Sequence, residues 1–164
     1  LKNFGPLATF QTNPHRLHIK MPRMVAPPPS GEFQIVLSKP FNGAPTHMIE
    51  VIGEPNRPAS IRMSNYNGNS KSSEKKGDVP QDDVKELMSL ISTLRGFPSH
   101  PSKDVYGLDT KVDFNTMEIQ WGNQDDDAAM DGGDLAGEQK DEFKRIADSI
   151  EALARQFAKQ DSPV

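Results

Sequence analysis

No cysteine occurs among the 164 residues, which excludes disulfides, thiolate zinc sites, iron–sulfur ligation and cysteine nucleophiles. Long apolar runs are missing too. The longest aliphatic stretch is Ile35-Val36-Leu37, far short of the ~20 residues that cross a bilayer, so no membrane insertion is expected. Asn-x-Ser/Thr acceptors and signal-type apolar stretches are absent, which favours an intracellular location without resolving cytoplasm, nucleus or organelle. Aromatic residues make up 7% of the chain, with one tryptophan. Leu, Ile, Val and Phe together lie just above the ~20% level below which charged chains stay disordered. One modest core of roughly 90 residues is expected, flanked by arms and linkers.

The common catalytic signatures are also lacking. No Gly-x-Ser-x-Gly elbow, no Gly-x-x-x-x-Gly-Lys-Ser/Thr phosphate loop and no Gly-x-Gly-x-x-Gly turn occurs. Glu50 and Glu118 sit between apolar neighbours, but strand alternation places both on polar faces, where burial would not raise their pKa. His15-x-x-His18 is the one close histidine pair. On a strand its members face opposite sides, so neither a metal nor another cofactor is expected, unless His47 or His100 completes a site in space. The aspartates from Asp125 on lack the alternation of a calcium loop, being interrupted by Ala128-Ala129-Met130. The balance leans away from an enzyme.

What is present is an uneven charge distribution. Residues 1–31 carry Lys2, Arg16, Lys20 and Arg23 and no acid, whereas residues 124–164 carry five bases and eleven acids. Four segments follow from composition: an extended, proline-rich basic arm (1–31), a core domain (32–123), an acidic flexible linker (124–139) and an amphipathic interaction helix (140–164). Within the arm, the alternation of Leu17, Ile19 and Met21 suggests a short strand able to join a sheet edge.

The core reads as α+β, a small and mostly antiparallel sheet of three or four strands covered by one helix. Strands are expected at Phe33–Leu37, Met48–Ile52 and Ala59–Ser64, separated by Asn42-Gly43 and Gly53-Glu54-Pro55 turns. Residues 65–77, poor in apolar anchors, read as a mobile loop. A helix over 82–95 presents Val84, Leu87, Met88, Ile91 and Leu94 on one face, with Asp82 or Asp83 as its cap and Gly96 as its stop. A fourth strand runs from Val112 to Trp121. Its apolar phase flips near Asn115-Thr116, as in a bulge or a strand buried on both faces.

The last helix carries Phe143, Ile146, Ile150, Leu153 and Phe157 at the 3–4 spacing of a coiled-coil seam. Asp141 with Arg145 and Glu151 with Arg155 stand at i,i+4. Beyond an acidic linker, this stripe must be covered by a protein partner, by a second copy of the chain or by the chain's own sheet. The expectation is a non-catalytic subunit or adaptor of a larger assembly that binds through these five residues and the N-terminal arm. The alternative is a nucleic-acid-associated, ribonucleoprotein-like component using Arg57, Arg62, Lys71, Lys75 and Lys76, with Tyr66 for stacking. A third is an enzyme whose site is assembled from residues distant in sequence.

Overall fold

The computed structural model describes residues 32–54, 57–117, 119–125 and 137–163. The readings that concern the arm 1–31, His15, His18, Glu118 and the acidic residues 126–136 lie outside the described residues.

Strict alternation builds the centre of the sheet. In β1 (Phe33–Lys39) the buried Phe33, Ile35 and Leu37 face one way, and in β2 (His47–Gly53) Ile49 and Val51 do the same. The antiparallel register sets Ile35 opposite Val51, and Val51 opposite Ile61 of β3 (Ala59–Asn67), so the inner faces coincide in one apolar row. A tight turn at Gly68, whose φ is +66°, leads into β4 (Ser70–Val79). On the other side of β1 lies β5 (Lys111–Asn115), with Phe114 opposite Ile35. β6 (Gln120–Gly122) and the two-residue β7 (Gln160–Asp161) complete an antiparallel sheet of order β6-β5-β1-β2-β3-β4-β7.

Two expectations about the sheet are corrected. The segment 65–77 is not a loop: most of it is β4, paired with β3 along the strand. Its side chains are almost all polar because it lies near the sheet edge, where backbone pairing rather than apolar burial holds it. The phase flip near Asn115 is a turn, not a bulge in one strand. The amide of Thr116 donates to the Ile119 carbonyl at 2.7 Å, the Ile119 amide donates back to Thr116 Oγ1 at 2.9 Å, and the chain reverses into β6. The sheet of three or four strands under one helix is therefore replaced by seven strands and two α-helices among the described residues.

Both helices cover the same face. α1 (Gln81–Ile91) buries Val84, Leu87 and Ile91, and tightens into a 3-10 turn over Ser92–Gly96 that buries Leu94. Pro80 occupies the capping position, and Asp82 and Asp83 lie in the first turn instead, where their charge suits the helix dipole. α2 (Gly137–Phe157) buries Phe143, Ile146, Ala147, Ile150 and Ala154. These residues share one core with Phe33, Ile35, Ile61 and Leu87. α2 thus shares one core with the strands and helix of the 32–123 unit.

Width explains why the helix finds its cover at home. Strands ~4.8 Å apart make a seven-stranded sheet about 29 Å across, room for two helices of ~10 Å, whereas the expected four strands would span about half that. Polar contacts fix the placement. Glu151 accepts from Lys39 Nζ at 3.0 Å and from His47 Nε2 at 3.2 Å, which ties α2 to the ends of β1 and β2. Glu151 is therefore turned to the sheet, and Arg145 pairs with Glu142, three residues before it.

The segment 97–110 closes the open end of the core. Tyr106 stacks on Phe143 with ring centroids 4.1 Å apart and donates its hydroxyl to the Pro98 carbonyl at 2.5 Å. Trp121 lies tilted against Phe143, ring centroids 6.3 Å apart, and donates Nε1–H to the Phe97 carbonyl at 2.9 Å. Asp109, at φ +52°, accepts the Phe41 amide at 3.0 Å and joins this segment to the end of β1.

Candidate interaction face

The five stripe residues of α2 do not form an exposed surface. Phe143, Ile146 and Ile150 have no solvent exposure and belong to the chain's own core. A partner could reach them only after α2 is lifted off the sheet. Leu153 is half-buried and lines a shallow cleft of about 170 Å³ between the helices, with Leu90 opposite and Asp83 and Glu86 on the rim. Phe157, also half-buried, ends the helix directly over Gly77 of β4.

The five bases are dispersed as well. Arg57 sits at the β2–β3 connection and pairs with Glu54 at 3.4 Å. Lys75 shares strand parity with Gly77 and so lies on the helix-covered side. Arg62, Lys71 and Lys76 lie on the opposite side, and two of them are occupied: the Glu74 carboxylate receives Lys71 Nζ at 2.9 Å and Arg62 Nε at 3.4 Å. Tyr66 is paired with Lys71 across β3–β4. No continuous basic patch results, because acids are interleaved with the bases.

Glu74 is the best-buried acid of this side, at 8% exposure. The Lys71 hydrogen bond holds its carboxyl below the ordinary range against the opposing effect of burial, and the hydroxyls of Ser162 and Ser64 add to the lowering. The same contact raises Lys71. Lys144 on α2 is raised likewise by Asp148, 2.7 Å away. In each case the partner favours the charged form, the setting of an ion pair rather than of a proton donor or acceptor poised near neutrality.

The sheet face turned away from the helices has a different composition. Its central row runs Asp113, Val36, Glu50, Arg62, Lys76 and Gln160 across β5, β1, β2, β3, β4 and β7. Met48 and Ile52 flank Glu50 on β2, and with Val36 they are half-buried apolar side chains outside the main core. Gln34 donates Nε2–H to Glu50 at 3.0 Å. Beside Ile52 a cleft of about 430 Å³ opens, lined by Glu50, Ser60, Arg62, Lys76 and Asp78, with Gln160 closing its far side. Small Ser60 between Ile52 and Asp78 makes the depression, since both neighbours in its row are larger.

Sequence reasoning assigned strands to Val36, Met48 and Ile52 but not a role. The signal was their parity, opposite to that of Ile35, Ile49 and Val51, and its meaning depends on knowing that both helices lie on one face. His47 and His100 do not converge. His47 bridges Asn65 and Glu151, whereas His100 Nδ1 accepts the amides of Ser102 and Lys103. Among the described residues no group of three or more His, Asp or Glu could hold a metal ion, and no helix is long and apolar enough to cross a membrane. Comparison with protein-family models and with curated proteins finds no match to this chain.

Proposed function

We propose that this chain is a non-catalytic subunit of a larger protein assembly and that it docks through the face of its sheet that no described element covers. One observation carries the reading: both helices pack on the same side, and the other side sets half-buried Val36, Met48 and Ile52 among charged residues next to a cleft. An apolar centre within a polar rim is the anatomy of a protein interface. The size also fits. A face about 29 Å by 20 Å offers roughly 600 Å² before side-chain relief, close to the ~800 Å² that each partner contributes to a standard interface. The adaptor function expected from the C-terminal helix is thereby moved to a different surface, because α2 is occupied.

The nucleic-acid alternative draws less support, since Arg62 and Lys71 share Glu74 and Arg57 is paired elsewhere. The test is the native mass of the chain isolated from its source, as wild type and as Ile52→Glu. Ile52 is half-buried, so the variant's urea unfolding is measured alongside; a loss of about 1 kcal/mol leaves the chain folded and the comparison of masses valid. The wild type should run as a complex, and Ile52→Glu should run at the mass of the free chain. A wild-type mass equal to one chain, or a complex that survives Ile52→Glu, contradicts the proposal.

A further inference from the structure

We infer that the partner presents an acidic, extended peptide segment to the cleft beside Ile52, with a carboxylate seated between Arg62 and Lys76; this rests on the docking face proposed above. Arg62 and Lys76 are directly opposed across β3–β4 on the uncovered face, and both are exposed. Like charges in that relation repel, and nothing in the sheet requires them to be opposed. Glu50 stands directly opposite Arg62 on β2 without an ion pair, and the carboxylate that Arg62 does meet is Glu74, one residue pair along. It meets Arg62 only through Nε and is held more closely by Lys71. Among the described residues the two terminal nitrogens of the guanidinium, which form the fork suited to a carboxylate, meet no partner, and Lys76 makes no ion pair.

The rest of the lining narrows the ligand. Ser60 and Gln160 add neutral donors, and Ile52 offers an apolar wall. Glu50 and Asp78 place negative charge on both sides of the cation pair. A nucleic-acid backbone, which carries a charge at every step, would meet those acids. A peptide in which an acidic and an apolar residue stand two positions apart presents both on one face, the carboxylate to the cations and the apolar side chain to Ile52. Extended peptide is the conformation that matches the two-residue repeat of the sheet beneath it.

The experiment is an amide-shift titration of the chain with a ten-residue peptide of the repeat Glu-Ser-Val-Ser, which shows Glu and Val on one face when extended, with inorganic phosphate and oligouridylate as parallel arms. The peptide should shift Ser60, Arg62, Lys76 and Gln160. Its affinity should fall at least tenfold in Arg62→Gln/Lys76→Gln, whose melting temperature should match the wild type because both side chains are exposed. Absence of binding, or equal binding by the double variant, overturns the inference. So does phosphate or oligouridylate binding at these residues as tightly as the peptide, which would assign the cleft to a small anion or to RNA. An assembly that survives the double variant but not Ile52→Glu removes the acidic anchor and leaves the docking face standing.

Discussion

Gly77→Ala tests the seat of α2 on β4 through its sign as well as its size. Gly77 lies inside β4 at an ordinary strand position, and a Cβ built there would overlap the Phe157 carbonyl oxygen and stand 2.7 Å from its carbon. The obstructing atoms are backbone, so no side-chain rotation relieves the clash. If the helix end were elsewhere, alanine for glycine in a strand would stabilise the fold by about 0.4–1 kcal/mol through the unfolded chain. With the helix end in place, overpacking costs about 1–3 kcal/mol.

An upper limit comes from the alternative response, release of the tail. Release would forfeit the β4–β7 pairs Lys75–Asp161 and Lys76–Gln160, the Ser162 amide on the Glu74 carbonyl at 2.9 Å, and the burial of Ala158. At about 1 kcal/mol per hydrogen bond, the cost saturates near ~4 kcal/mol. We expect a loss of about 2–3 kcal/mol in urea unfolding and faster exchange of the Ser162 amide than global unfolding accounts for. A gain in stability, with Ser162 protection unchanged, would refute the packing of α2 over β4.

Two further perturbations probe the core and the polar cluster. Phe143→Ala removes a fully buried ring that stacks on Tyr106 and leans on Trp121, and should cost about 3–5 kcal/mol in urea unfolding; a loss under about 1 kcal/mol would return that ring to the surface. Glu74 has its carboxyl lowered in the fold, so its contribution is fully present above the ordinary glutamate value and fades as pH falls through the lowered one. Wild type should therefore exceed Glu74→Gln in stability at pH 7, and the gap should close as pH falls through the lowered value, below the ordinary glutamate range; parallel stability curves across that range would contradict the assignment.

The two helices were legible because a stripe of period 3.6 survives any tertiary context: Val84, Leu87, Ile91 and Leu94 are buried as their spacing implies. What covers a stripe is not written in it. The same spacing of Phe143, Ile146 and Ile150 serves a partner helix or the chain's own sheet, and the choice turned on strands the sequence concealed. In β4 the segment from Ser70 to Asp78 holds no large apolar residue, because Gly77 lies under the end of α2 and Glu74 is buried by hydrogen bonds rather than by apolar contact. At Thr116–Ile119 a tight turn and a bulge produce the same parity change. For the proposed face, Val36, Met48 and Ile52 were visible as residues out of phase, but their place opposite the helical layer follows only from both helices sharing one side.

Methionine oxidation footprinting compares the rival surfaces in one measurement, since a thioether reacts where solvent reaches it. Met48 lies on the uncovered sheet face, Met88 on α1, and Met117, 63% exposed at the β5–β6 turn, serves as the reactive reference. Between the free chain and the assembly isolated from its source, Met48 should become protected while Met88 keeps its rate. Protection of Met88 with Met48 unchanged would place the partner on the helical layer and contradict the account.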